Sequence, residues 1–577
     1  ICFSNIKYFM DYTIKFLSPL SHFLSITLKL DVTNNDLLTL TLPIWRPGRY
    51  EAANYSKNIR QLSFRDENGR MLPHVINRAN QWQIDTKNCQ TLTVDYQYFA
   101  YQMDAGNSWY DDELIYINFI NCLLYAKDRV NDKCTVTIDI PADYAIACSL
   151  KRDENVFYAS DFYELVDSPL IAGYKIQHLS YHSRDTPFHI WIYGQNNLES
   201  SQLIKDFQKF TDEQIACFGD FPEDSYHFLI ITLPYKHYHG VEHAKSTVIC
   251  LGPAQELQSD KMYQELLGVS SHELFHAWNI IKIRPQEMLP YDFSVPVSFP
   301  TGFVAEGFTT YYGDLFLCRS KVFDIKWYLN ELGILFNRHF WNYGRLNESV
   351  IDSSSNLWID GYTAGAPNKK SSIYVEGALI ALTLDLSIRS LTNHEKSLDD
   401  VMRILWHTHG QVANGYNLEM IKNYAEEVCG ENLNDYFSKY VCGTQDKESL
   451  VAELLPVVGC ELEKIPNKND LSRQFGIRTV AESEGLRVMQ IAPDAIGEKY
   501  FSVKDLIVSI DDQKPETFTL KNQSMVSFKI DRFGRELIHE IKPGRVNYFD
   551  EYQVVRNETA NDDKQKAFTS WTGQSFN

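Results

Sequence analysis

From about residue 12 to residue 195 apolar and polar residues alternate in short runs, as in Leu24-Ser-Ile-Thr-Leu-Lys-Leu-Asp-Val32 and Leu92-Thr-Val-Asp-Tyr-Gln-Tyr98. A period of two places every second side chain on one face. Clusters of Asn, Asp, Gly and Pro separate the runs, so residues 1–195 are expected to form an antiparallel β-sandwich domain. Near residue 196 the period changes. Leu203-Ile-Lys-Asp-Phe-Gln-Lys-Phe-Thr-Asp-Glu-Gln-Ile215 carries apolar residues at helical spacing, and Tyr226 to Leu233 reads as a buried strand. Longer helical patterns follow at 260 to 283, 303 to 318, 324 to 341, 372 to 390 and 397 to 408, which makes 196–465 a mostly helical domain. The polar stretch from Lys464 to Arg473 reads as a linker. Strand-like runs at Leu486 to Ile491, Leu506 to Ile510 and Met525 to Ile530 then predict a β-rich module over 466–560, and 561–577 reads as a polar tail. The fold class expected is multidomain α+β.

Length and charge narrow the functions open to such a chain. At 577 residues it exceeds what one hydrophobic core supports. A net charge of −20 disfavours nucleic-acid or anionic-membrane surfaces, which need clustered Lys and Arg. No run of about 18 apolar residues occurs, so no membrane span is expected. The apolar first 24 residues are interrupted by Asn5, Lys7, Asp11 and Lys15, which spoils a signal-peptide core, and Met10 is a candidate start. Eleven cysteines, without a C-x-x-C pair, suggest buried thiols in a reducing compartment such as the cytoplasm, with the periplasm or secretion left open.

The chemistry concentrates at His272-Glu273-Leu274-Phe275-His276. Two histidines four apart on a helix share one face, one turn from each other, and can chelate one ion. Two neutral imidazoles and a carboxylate suit Zn²⁺, with a water at the fourth position whose pKa the metal lowers. Glu273, beside the ligands, is then the candidate general base. The approach from Tyr263 to Ser271 is mostly apolar, so the motif belongs to a packed helix where unpaired imidazole and carboxylate are costly. Glu306, 30 positions after His276 among Phe303, Val304 and Phe308, is the candidate third ligand. His237-x-His239 and His407-x-His409 lack a neighbouring base and read as surface or loop histidines.

Ser271-His-Glu-Leu-Phe-His-Ala-Trp-Asn279, Lys282-Ile-Arg-Pro285 and Glu306-Gly-Phe-Thr-Thr-Tyr-Tyr312 together resemble the glycyl aminopeptidase family, a gluzincin group. Leu42-Pro-Ile-Trp-Arg-Pro-Gly-Arg-Tyr50 and Leu165 to Gly173 resemble that family's N-terminal signatures. The resemblance implies a thermolysin-like catalytic domain and a PDZ-like C-terminal domain, the latter carried more weakly by Phe475 to Arg478, Gly485 to Val488 and Asp505 to Ile510. His239-Gly-Val-Glu-His243 resembles the family's Gly-Gly-x-Glu-His strand, which implies substrate-binding roles for Gly240 and Glu242, the latter holding the substrate's α-ammonium. Tyr374, in Ile373-Tyr-Val-Glu-Gly-Ala-Leu, resembles the family's oxyanion tyrosine. Two departures stand out: His239 occupies a glycine position and Glu376 a lysine position, the latter exchanging a cation for an anion near the cleft.

The function expected is that of a one-zinc aminopeptidase removing small N-terminal residues, Gly or Ala by the resemblance, through water attack with Glu273 as base. An endopeptidase on the same centre and a non-catalytic peptide-binding scaffold are the alternatives. The partners expected are peptide substrates and a peptide ligand of the PDZ-like module.

Overall fold

A computed structural model describes residues 10–33, 35–363, 365–521 and 524–576. The segment preceding Met10 lies outside them. The first region is β-rich, as the alternation predicts. A seven-stranded sheet runs Lys151–Asp153, Val156–Ala159, Cys134–Ile138, Met10–Phe16, Phe23–Asp31, Thr91–Phe99, Ile59–Arg65 and shares one core with a four-stranded sheet built on Leu37–Thr41 and Gln81–Asp85. The pairing is antiparallel except between Met10–Phe16 and Cys134–Ile138, which run parallel, so the sandwich is mixed rather than purely antiparallel.

The boundary expected at 195 falls inside a sheet. Ile176–Ser183 and Thr186–Tyr193 pair with each other and then with Tyr226–Thr232, opening a five-stranded sheet that continues through Ser246–Gly252 to His237–Glu242. Alternation identifies a strand but not the sheet it joins. The last strand, His237–Glu242, is an edge and leaves one row of backbone groups unpaired within the sheet.

Helices Ser200–Phe218 and Asp260–Phe275 cover one face of this sheet with a large apolar core. A small sheet of the N-terminal region, built on Leu114–Ile117 and Leu170–Gly173, covers the other. The helix Asp260–Phe275 starts where Ser259 accepts a bond from the Met262 N–H, which satisfies one otherwise orphaned donor. Val375–Leu391 crosses the Phe303–Phe308 segment so closely that a Cβ on Gly307 would lie 2.3 Å from the Gly377 Cα.

Five antiparallel strands from Ile477–Glu482 to Arg535–Ile541 make the C-terminal β-rich module. Glu551–Arg556 leaves that sheet and pairs with Cys460–Ile465, where Tyr552 exchanges backbone bonds with the Asn337 side chain. The tail expected to be polar and loose is instead a helix, Asp562–Thr572, with Phe568 and Trp571 fully buried and the Trp571 indole donating to the Tyr311 hydroxyl at 3.0 Å. Its charged composition hides the few apolar anchors that dock it. The ten described cysteines are free thiols, most of them buried. Among the described residues no helix is long and apolar enough to cross a membrane.

Candidate metal centre and cleft

The helix Asp260–Phe275 carries His272 and Glu273, and His276 follows at its end. The His276 Nδ1–H donates to the Asn279 carbonyl at 2.9 Å, which fixes the tautomer and leaves Nε2 facing His272 Nε2 at 3.1 Å. Glu306 comes from a π-helical turn, Phe303–Phe308, a distortion that re-aims a side chain and is frequent at functional sites. Its Oε2 lies 3.8 Å from His272 Nε2 and 3.4 Å from His276 Nε2. Asn279 ties the two segments together, donating to the Val304 carbonyl at 2.8 Å and the Thr309 hydroxyl at 3.1 Å. Sequence reading passed over Asn279, whose only signal was its place in the Ser271–Asn279 motif.

These three donor atoms fit one ion. Donors at about 2.05 Å around a tetrahedral zinc stand roughly 3.3 Å apart, close to the separations found here. Charge points the same way. Glu242, Glu273 and Glu306 are all buried, at 4%, 5% and 2% exposure, and among the described residues Glu306 pairs only with the two histidines. Burial would raise the Glu306 pKa, but the adjacent imidazoles, His276 first, hold it down at about 2. For His276 burial works downward, yet Glu306, Glu242 and Glu273 push it up to about 10. A proton on His276 therefore supplies the positive charge that this donor set requires, and a divalent cation would displace it. Burial lowers the His272 pKa, consistent with a neutral ligand.

Glu273 is raised well above the ordinary carboxylate range by burial, with Glu242 and Glu306 adding to the effect, and its Oε2 has no hydrogen-bond partner. Gly240 on the edge strand permits this placement, because a Cβ there would lie 2.2 Å from Glu273 Oε1. Glu242 stands two residues further along the strand, raised by burial and by Glu306 against the opposing pull of His276. Gly48 of the N-terminal region lies against it: a Cβ on Gly48 would meet Glu242 Oε2 at 2.3 Å, and its φ of +76° independently favours glycine. The first signature motif thus serves the cleft, a contact across 194 positions that no local pattern reveals.

Tyr374 caps the helix Val375–Leu391, lines the same cleft of about 660 Å³, and shares a hydrogen bond with Tyr362. All seven residues singled out from the sequence thus border one cavity.

The departures from the family pattern resolve differently. His239 lines the cleft and lies 3.9 Å from Asp104, with burial, then Arg46, pushing its pKa down to about 4. Glu376 does not approach the cleft: it is 1% exposed and accepts from Lys447 Nζ at 2.5 Å. The expectation of a reversed charge beside the substrate is therefore corrected, since its compensating cation lies in the core 71 positions away. His407 is exposed as expected, whereas His409 is buried, bonded to the Asn414 carbonyl and the Tyr424 hydroxyl.

Residues 11–174 match the peptidase M61 N-terminal domain, and residues 265–380 match M61 glycyl aminopeptidase. A crystal structure of an aminopeptidase N family protein from Idiomarina loihiensis superposes with a TM-score of 0.89 at 25% identity, covering 98% of this chain and 100% of that one. An M1 zinc metallopeptidase from Deinococcus radiodurans gives a TM-score of 0.46 at 14% identity, covering 75% of this chain and 92% of the other. No curated protein matches. The first matched segment holds Gly48 and the second holds His272, Glu273, His276, Glu306 and Tyr374, so the cleft just described is built from a peptidase M61 N-terminal domain and an M61 glycyl aminopeptidase domain.

Proposed function

We propose that this chain is a zinc aminopeptidase with one ion held by His272, His276 and Glu306. The observation that carries the reading is the convergence of those three donor atoms beside two further buried carboxylates, Glu242 and Glu273. When bound, the metal would supply Lewis acidity, polarising a peptide carbonyl and lowering the pKa of a water molecule. The rest of the chemistry belongs to the chain. The peptide lies along the free edge of His237–Glu242 and continues the sheet through backbone hydrogen bonds. Glu242 takes its α-ammonium, a charge-assisted contact that fixes the cleavage point one residue from the amino terminus. Glu273 removes the proton of the attacking water as its oxygen bonds to the carbonyl carbon. The same carboxyl then returns that proton to the nitrogen as the C–N bond breaks. Tyr374, oriented by its bond to Tyr362, donates to the oxygen that gains negative charge.

The domain reading that goes with this function is a β-sandwich followed by a thermolysin-like catalytic domain, moved here to begin near residue 176, and a PDZ-like module. In that module the described residues between Leu506–Ile510 and Val526–Arg532 form one short helical turn, Pro515–Thr517. Preference for a small first residue, Gly or Ala, rests on the family resemblance.

The test is turnover of alanyl and glycyl chromogenic amides against acetylated counterparts, with elemental analysis of the same protein. One zinc per chain and cleavage confined to free amino termini support the proposal. Efficient cleavage of the blocked substrates would reassign Glu242 and favour an endopeptidase.

A further inference from the structure

The metal cleft has a buried end and an exposed one. Glu242, His276 and Glu306 are 4%, 1% and 2% exposed, whereas Tyr238 and Ile334, which line the same cleft, are 56% and 43% exposed. The edge strand His237–Glu242 and the helix Asp260–Phe275 run side by side between them. Donor atoms of Glu242 and His276 lie within 4.8 Å of each other, and a Cβ on Gly240 would meet Val269 at 2.8 Å, one to two turns back along the helix. Both elements continue as walls of the cleft, the strand to Tyr238 and the helix to Lys261. From His276 back to Lys261 the helix rises about 22 Å, at roughly 1.5 Å per residue. An extended peptide spans that distance with about six residues.

The strand offers such a peptide more than one point of contact. The His243 N–H donates to the Ser246 carbonyl, so the alternation of an antiparallel ladder also makes Val241–Val248 and His239–Cys250 hydrogen-bonded pairs. Tyr238 and Gly240 therefore turn N–H and C=O toward the free edge. Standing two apart, they pair with peptide residues two apart.

Charge along the outer half disfavours a short substrate. Glu265, Asp314 and Glu331 line it, and burial, then Glu331, push the Asp314 carboxyl up to about 7, with Arg338 opposing and Glu265 adding to the effect. A dipeptide bound at the metal would leave its carboxylate among Glu273 and these acids, and like charges at such range repel. A longer chain carries that charge outward, toward the exposed Lys261 and Arg338.

Resting on the aminopeptidase reading, we propose that the substrates are oligopeptides of four or more residues, with the second residue pairing with Gly240 and the fourth with Tyr238. The amino terminus fixes the bond that is cut. The next three residues hold the chain in place.

Initial rates of alanine release from alanine peptides of two to six residues, prepared both as amides and as free acids, test this on the wild-type chain. In the amides kcat/KM is expected to rise about tenfold or more between two residues and four, and more steeply in the free acids, as each added backbone bond contributes about 1 kcal/mol. In the hexapeptide amide, N-methylation of residue 4 removes the hydrogen that faces Tyr238 and is expected to lower kcat/KM about fivefold relative to N-methylation of residue 5, whose N–H points away from the strand. A flat amide series overturns the proposal, as does an equal effect of the two methyl groups. No release at any length would overturn the aminopeptidase reading and this inference with it, whereas equal release at every length overturns the inference alone.

Discussion

Two groups of buried charge adjoin the helix Thr309–Arg319 and its π-helical lead, and they differ in how their carboxylates are balanced. In one, Asp385 accepts from the Tyr311 hydroxyl at 2.6 Å, from Arg389 at 3.1 Å and from the Leu398 N–H at 2.9 Å. Asp399 accepts from Arg319 at 2.8 Å and the Tyr312 hydroxyl at 2.9 Å. Both carboxylates are fully paired. In the other, Glu242, Glu273 and Glu306 crowd two imidazoles, and both Glu242 Oε1 and Glu273 Oε2 lack partners. A buried carboxylate neutralised by an adjacent Lys or Arg is scaffold, whereas three carboxylates crowded on two imidazoles leave negative charge for a cation or substrate to balance. The Glu376–Lys447 pair belongs with the scaffold because a cation neutralises it, although Glu376 Oε2 itself accepts no hydrogen bond and the pair lies on the helix that Tyr374 caps.

The sharpest way to break this comparison is to remove charge from each group and read activity and stability separately. Glu273→Gln is expected to lower kcat/KM for alanyl amide by about a thousandfold, while the melting temperature holds because an isosteric amide replaces a buried carboxyl whose Oε2 has no hydrogen-bond partner to lose. Lys447→Met should do the reverse. It strands the Glu376 charge in the core, with an expected loss of about 3–5 kcal/mol in denaturant unfolding, and the molecules that remain folded should keep their kcat. Adding Glu376→Met to that variant should restore most of the stability, since an apolar pair of similar volume replaces the buried ion pair. Gly240→Ala comes next. Its Cβ displaces Glu273 without touching charge, and a misplacement of about 1 Å is expected to cost roughly a hundredfold in kcat, with metal content unchanged.

The smallest effect concerns pH. Asp314, on the cleft wall, has its pKa pushed up to about 7 by burial and by Glu331. The folded chain therefore holds a proton between about pH 4 and pH 7 that the unfolded chain has lost. By linkage this group's contribution to stability falls as pH rises through that window and is flat above it. Asp314→Asn should thus melt progressively higher than wild type from pH 5 to pH 8 in differential scanning calorimetry; an equal difference at both would remove this explanation.

How much of this was legible in the sequence follows the same division. His272, Glu273 and His276 share a helix, so spacing alone places them together. Glu306 could be found because a lone acid in an apolar helix is conspicuous. Contacts made across the chain left no such mark. Nothing near Gly48 announces that it lies against Glu242, and nothing near Glu376 announces Lys447. Periodicity likewise found the strands at 176 to 193 but assigned them to the wrong region, because their partner, Tyr226–Thr232, lies beyond an intervening helix. The helix Asp562–Thr572 was missed because docking, carried by Phe568 and Trp571, outweighs the low apolar content of its sequence.

The central claim is that an acid from a separate helix completes a single cation site with two histidines one turn apart. Elemental analysis of wild type beside Glu306→Gln, both purified without chelator, tests it most directly. One zinc per wild-type chain, lost together with amide turnover in a variant that still melts cooperatively, is the result expected. Full zinc occupancy in folded Glu306→Gln would show that the ion is held by another set of side chains and would contradict the account.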